Sequence, residues 1–229
     1  MTLIDPILLA SLIDYFSLLT VLEWTAMLLS LAYIILAAQG SLWCWPAAFV
    51  STALYSFIFF EFLLLMDSVL NAYYLVMAVY GFWSWQKNKE NHNNQSIDPT
   101  VIQKDTADFV VVTWAGLWHL KACLLLVVIS LIAGYLMANY TPADFPYLDT
   151  FTTVYAIFAT YLVVHKVLEN WLYWLVIDAV SIYLYVEKGL YPTALLFIIF
   201  VGIACYGYWK WRNILEHSTP NQRVDNSFA

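Results

Sequence analysis

One block of this chain is written twice. Tyr80-Gly81-Phe82-Trp83-Ser84-Trp85 ends one apolar stretch, and Tyr206-Gly207-Tyr208-Trp209-Lys210-Trp211 ends another. Position 209 lies 126 beyond position 83. The same shift superposes Trp45 on Trp171, Val50 on Val176, Glu61 on Glu187, Leu70 on Leu196 and Ala78 on Ala204, with no gap. It also sets Glu23 opposite Asp149. A chain with this plan folds as two like units. Inside a membrane, such duplication is the ground plan of transporters, whose sites form where the copies meet.

The medium follows from composition. Hydrophobic residues make up 63% and charged residues 11%, against about 45–50% and about 25% in soluble domains. The apolar residues come in continuous runs, and a spanning helix needs about 20 of them. Continuous rather than alternating runs exclude a β-barrel. The net charge of −7 reflects loops and ends and implies no nucleic-acid partner. Cys44, Cys123 and Cys205 lie far apart in apolar segments with no C-x-x-C pair, and so read as small buried hydrophobes. The amino terminus shows no basic region or small-residue cleavage site of a signal peptide.

Seven spans are expected near 20–38, 43–60, 64–85, 117–138, 150–167, 170–186 and 190–210. Asp5-Pro6 reads as the start of a short interfacial helix. The polar stretch 86–112 reads as a flexible loop. The resulting organisation is an interfacial segment (1–17), a first three-helix bundle (18–86), a cytoplasmic loop (87–116), a linker helix (117–138), a second bundle (139–212) and a polar tail (213–229). With the N-terminus outside and the C-terminus inside, Lys87, Lys89, Lys104, Lys166, Lys210, Arg212 and Arg223 fall in cytoplasmic segments. Lys121 sits at the cytoplasmic end of the fourth span, and Lys188 alone falls outside. An excess of Lys and Arg inside is the usual bias. Each copy holds three helices, so one extra helix brings the second copy into the orientation of the first. The expected fold is an all-α integral membrane protein of two parallel three-helix repeats joined by a linker helix (3+1+3).

Polar groups within spans are costly and mark sites or pathways. In the sixth span Trp171, Trp174, Asp178, Ser181 and Tyr185 recur at spacings of 3, 4, 3 and 4, one face of a helix. Asp178 lies about 12 Å along the axis from Asn170, close to the midplane. The third span offers Asp67, Asn71, Tyr74, Met77 and Gly81 on a matching face. Asn71 and Asp178 are expected to meet there from opposite copies. Indole faces attract flat rings and cations. An Asn side chain both donates and accepts, as a carboxamide ligand requires. A carboxylate accepts from sugar hydroxyls or balances a positive ring.

Blander readings stand beside these. Trp43, Trp83, Trp85, Trp209 and Trp211 suit a membrane-interface belt or packing. Glu23 and Asp149 sit where a carboxylate favours a helix N-terminus, and Glu61 and Glu187 mark short outer turns. Asn71 and Asp178 also suit bonds between helices. Gln39 and His165 correspond under the shift and flank cytoplasmic ends. Together with Asp67, Asp149 and Ser181 they are secondary polar or gate candidates.

Glu169-Asn170-Trp171-Leu172-Tyr173-Trp174, followed by Asp178, resembles the E-N-W-x-x-W-x-x-x-[N/D] stretch of the PnuC family of nicotinamide riboside transporters. Pro146-Tyr147-Leu148-Asp149-Thr150 and Tyr80-Gly81-Phe82-Trp83-Ser84-Trp85 fit the same pattern, and the likeness runs through most of 18–212. The family often has Asn at the place of Asp178 and Gln at that of Asn71. The resemblance implies a bacterial inner-membrane facilitator with a SWEET-like fold that moves nicotinamide riboside inward. A separate cytoplasmic riboside kinase then traps the substrate. No cofactor or metal is implied, and a homo-oligomer such as a trimer is compatible. On this view Trp171 or Trp174 stacks on the pyridinium ring, Asn71 or Asn170 meets the carboxamide, and Asp178 meets the ribose or the charge, with Tyr74 beside them.

Rival functions are a SWEET-type sugar transporter, another nucleoside transporter, a light-sensing seven-helix protein, an intramembrane enzyme and a scaffold. There is no Pro-Gln dipeptide of the sugar carriers. Lys210 lies too near its helix end for retinal attachment. No span holds two of His92, His119, His165 and His217. His165 and Glu169, one turn apart, are weak grounds for a metal site, and no Gly-rich phosphate loop occurs.

Overall fold

The computed structural model describes residues 21–61, 65–95, 109–141, 144–189 and 191–217. They form seven helices: α1 (Val21–Ala38), α2 (Cys44–Glu61), α3 (Leu65–Gln95), α4 (Gly116–Tyr140), α5 (Pro146–Val164), α6 (Asn170–Glu187) and α7 (Tyr191–His217). No strand occurs among the described residues; one isolated bridge pairs Val112 with Val167. The expected interfacial segment, residues 96–108 of the loop, residues 218–229 of the tail, and the side chains of Glu23, Glu61 and Asp67 lie outside the described set.

Each helix packs on its chain neighbour within α1–α2–α3 and within α5–α6–α7. The contacts α3 on α5 and α1 on α7 close these six into a ring. Helix α4 stands outside and lies along α5. Its buried stripe is Leu126, Ser130 and Gly134, one residue per turn. A β-carbon on Gly134 would meet the Tyr147 ring, so the glycine sets this close approach. The Thr150 hydroxyl donates to the Ser130 carbonyl at 3.1 Å, and the Tyr155 hydroxyl to that of Cys123 at 3.2 Å. The rest of α4 exposes Leu117, Leu124, Leu131 and Ile132, as lipid would require.

Gly116–Tyr140, Pro146–Val164 and the Thr193–His217 part of α7 are long and apolar enough by themselves to cross a bilayer. Helices α1, α2 and α6 have 18 residues each, about 27 Å at the helical rise, close to a hydrocarbon core of about 30 Å. Two helices outrun the sequence expectation. Helix α3 continues through 86–95, expected as loop, and α7 continues to His217, expected as tail. The Asn-, Lys- and Glu-rich extension of α3 carries no proline or glycine to stop it. In α7 the Arg212–Glu216 pair at 2.8 Å, four residues apart, favours another turn. Helix α5 begins four residues before the expected span, with Pro146 in its first turn, and ends at Val164 rather than 167.

Helices α1 and α5 stop in the same way. Gly40 and Lys166, which correspond under the shift, both take a left-handed backbone, φ 70° and 55°. Gly40 N–H bonds the Ala37 carbonyl and Ser41 N–H that of Leu36. Lys166 N–H bonds the Val163 carbonyl and Val167 N–H that of Leu162. This is the Schellman stop, where glycine is usual.

The duplication is also visible in side-chain geometry. Trp45 meets Trp85 edge-on at 5.2 Å and 87°, and Trp171 meets Trp211 at 5.4 Å and 87°. A β-carbon at Gly81 would strike the Trp45 ring, and one at Gly207 the Trp171 ring. The Trp85 indole donates to the Val164 carbonyl at 2.9 Å, and the Trp211 indole to that of Ala37 at 3.1 Å. Each of these indoles thus ties its own half of the chain to the other. Trp83 and Trp209 are exposed, while Trp85 and Trp211 are buried. Alternate members of each Trp-x-Trp pair therefore do different work.

Candidate functional site

The ring of six helices encloses a cavity of about 420 Å³, within the range of small-molecule sites. Its wall is read most simply through the shift. At one end lie like residues: Trp45 and Trp171, Ala78 and Ala204, with Ala37 matched by Val163. All six are nearly inaccessible, so this end is a sealed floor. Further along, corresponding residues differ. Ala48 corresponds to Trp174, Thr52 to Asp178, Ile34 to Thr160, Asn71 to Phe197 and Tyr74 to Phe200. A like framework thus carries an unlike lining, as an asymmetric ligand requires.

Of the expected site residues, Asn71, Tyr74, Trp171, Trp174 and Asp178 all line this cavity. Asn71 and Tyr74 come from α3 in one copy, the others from α6 in the second. The helical periodicity of α6 carries its tryptophans and carboxylate onto one wall. Asp178 is 4% exposed. Among the described residues no hydrogen bond or ion pair reaches its carboxylate, and no Lys, Arg or His lines the cavity. Trp171 is packed tightly against Gly207, whereas Trp174 is half-buried. The exposed face thus belongs to Trp174.

Other expected residues lie elsewhere. Asn170 is fully buried off the cavity, its amide donating to the Val167 carbonyl at 2.6 Å. It braces the α5–α6 turn. Ser181 is buried outside the lining, and Tyr185 takes the next place along that wall. Asp149 in the first turn of α5 pairs with Lys188 at 3.5 Å. Gln39 is exposed just beyond α1. His165 packs on Tyr161 at 4.3 Å and lies near Tyr80 and Trp114, and burial holds its imidazole below the usual range. Asp67 belongs to α3, with its side chain outside the described set.

Sequence reasoning overlooked Trp45, Thr52, Tyr33 and Thr160, which share the wall. The first two were within reach, because the shift places them opposite Trp171 and Asp178. Tyr33 and Thr160 give no signal, since each reads as an ordinary member of an apolar span. The Glu169 of the motif also has a place: it accepts from the Trp114 N–H at 3.4 Å and lies 3.6 Å from His119. His119 in turn meets the Tyr173 hydroxyl at 3.0 Å. The motif glutamate therefore fastens the start of α4 to the α5–α6 turn.

A helical ring closed around an apolar cavity, with a buried carboxylate in its wall, defines a multi-pass membrane protein of the transporter class. The chain belongs to the PnuC group: the model of the nicotinamide mononucleotide transporter family matches residues 20–213. The nicotinamide riboside transporter PnuC of Escherichia coli (strain K12) is 24% identical over 181 residues, 72% of this chain and 73% of that protein. The riboflavin/roseoflavin transporter RibM of Streptomyces davaonensis is 26% identical over 187 residues, 80% of this chain and 81% of that protein. The crystal structure of the vitamin B3 transporter PnuC superposes with a TM-score of 0.65 at 19% identity, covering 93% of this chain and 90% of that one. That likeness establishes the shared fold.

Proposed function

We propose that this protein carries nicotinamide riboside across the bacterial inner membrane, with the cavity as its binding site. The observation that carries this reading is Asp178: a buried carboxylate in a mostly apolar wall, with no cation against it among the described residues. Such a charge is costly unless paired. A pyridinium ring stacked on Trp174 supplies the opposite charge, and its carboxamide meets Asn71. Nicotinamide mononucleotide fits less well, because its phosphate would enter a cavity with no basic side chain among its described lining residues. A neutral flavin or sugar could stack on the indole but would leave Asp178 without an opposite charge.

Transport is proposed as facilitated and without coupling, with inward flux maintained by phosphorylation inside. Seven spans with an outside N-terminus suit the charges. Lys87, Lys89, Lys121, Lys166, Lys210 and Arg212 belong to the helix ends and turns at the floor of the cavity, which is then the cytoplasmic side. Lys188 belongs to the opposite end.

The test is calorimetry on the purified protein. Nicotinamide riboside is expected to bind, with its mononucleotide, riboflavin and glucose each weaker by about tenfold or more, a difference of about 1.4 kcal/mol. Equal or tighter binding of riboflavin or glucose would replace the reading with that ligand's.

A further inference from the structure

Below the cavity floor, residues 109–115 form a strap that crosses the end of the ring before α4 begins. Its attachment is one-sided. Val112 N–H bonds the Lys166 carbonyl at 3.0 Å, Leu168 N–H bonds the Val112 carbonyl at 2.8 Å, and Trp114 N–H bonds Glu169 at 3.4 Å. All three partners belong to the α5–α6 turn of the second copy. Toward the first copy the strap offers the ring of Phe109, which lies against the Gly40 backbone and 4.8 Å from Trp85.

Phe109 occurs once, yet it meets corresponding residues of both copies. Trp85 and Trp211 flank it, the latter at 5.2 Å. Gly40 abuts it, and the Lys166 ammonium sits 4.7 Å from its centroid. Lys166 occupies a left-handed position where the other copy uses glycine. A side chain there costs backbone strain, and it is the Lys166 side chain that reaches the rings of Phe109 and Trp85. The floor tryptophans Trp45 and Trp171 rest on Trp85 and Trp211, so Phe109 closes a continuous aromatic stack.

We propose that Phe109 is the latch of the gate at the floor of the cavity. The strap travels with the second copy, and opening this end withdraws the Phe109 ring from its seat on Gly40 and Trp85. Rocking of one bundle against the other is the usual transporter motion, and the contacts broken at this seat are ring contacts rather than strap hydrogen bonds. Trp85 and Trp211 release their opposite-copy carbonyls in the same movement. The proposal rests on the transport reading for its purpose, but its geometry does not depend on the substrate.

The test places a reporter cysteine at Ala78 on the floor, in a protein whose Cys44, Cys123 and Cys205 are alanine. A membrane-impermeant maleimide is added to sealed vesicles from the strap side. Loss of the latch shifts the population toward the open floor, so Phe109→Ala is expected to raise the labelling rate roughly tenfold. Gly40→Ala, whose β-carbon would lie 2.7 Å from Phe109 Cδ1, should act in the same direction. Phe109→Tyr keeps the ring and should restore slow labelling, and Val110→Ala should leave it slow. Unchanged labelling in a Phe109→Ala protein that elutes as a single species overturns the proposal. If that variant does not fold, unchanged labelling in Gly40→Ala does so. Fast labelling in the variants with no riboside uptake by the unaltered protein would sink the transport reading and leave the latch standing.

Discussion

At the scale of the residue, the two indoles of the E-N-W-x-x-W motif have different tasks. Trp171 is 3% exposed and wedged against Gly207. Trp171→Ala should cost about 3–5 kcal/mol, the usual penalty for emptying a large aromatic site, seen as a lower unfolding midpoint. Trp174 also lines the cavity but is only half-buried. It packs against both hydrophobic clusters, so Trp174→Ala should lower the midpoint, but clearly less than Trp171→Ala. The same change should weaken riboside binding about tenfold, the worth of stacking with a cation–π term of about 1–2 kcal/mol. Equal loss of stability in both variants would erase the distinction. Lys166 gives a pH signature. Burial pushes its ammonium from 10.5 down to about 8. Between those values the unfolded chain binds more protons than the folded one, so stability rises as pH passes from about 8 to 10.5. Lys166→Met should flatten that rise in thermal denaturation across the same window.

At the scale of the element, the repeat predicts paired effects. Trp85→Phe and Trp211→Phe each remove one indole bond between the halves, and each should cost about 1 kcal/mol or somewhat more. Gly81→Ala and Gly207→Ala each force a methyl into an indole, and each should cost about 1–3 kcal/mol. Denaturation midpoints of the four proteins should fall into these two matched pairs. Much of this level was legible in the sequence, because apolar runs and the uninterrupted 126-residue shift report on spans and on who corresponds to whom. The shift could not report what packs on what. That Trp85 reaches Val164 rather than lipid depends on how α3 meets α5. The helical extension at 86–95 was hidden because exposed Asn, Lys and Glu suit a solvated helix and a loop alike. The strap at 109–115 was hidden for a related reason: its bonds go to residues about 55 positions away, and no local pattern announces them.

At the scale of the whole molecule, a like framework surrounds an unlike cavity. The helical periodicity of α6 puts Trp174 and Asp178 on one face, and the structure places both, with Asn71 of α3, in the lining of one cavity. Ser181, on the same face by periodicity, is buried and outside the lining. Asn170 was drawn in by its neighbours in the motif, yet its amide is used by the backbone turn. The asymmetry that remains, with Asp178 where the other copy has Thr52 and Trp174 where it has Ala48, is proposed as the seat of ligand choice. The proposed movement of a cationic riboside through this cavity runs down its gradient. Its most direct test is uptake of labelled nicotinamide riboside into vesicles holding only this protein. Saturable uptake is expected, insensitive to a protonophore and lost in Asp178→Ala. The absence of uptake, or full uptake with Asp178→Ala, would contradict the proposal.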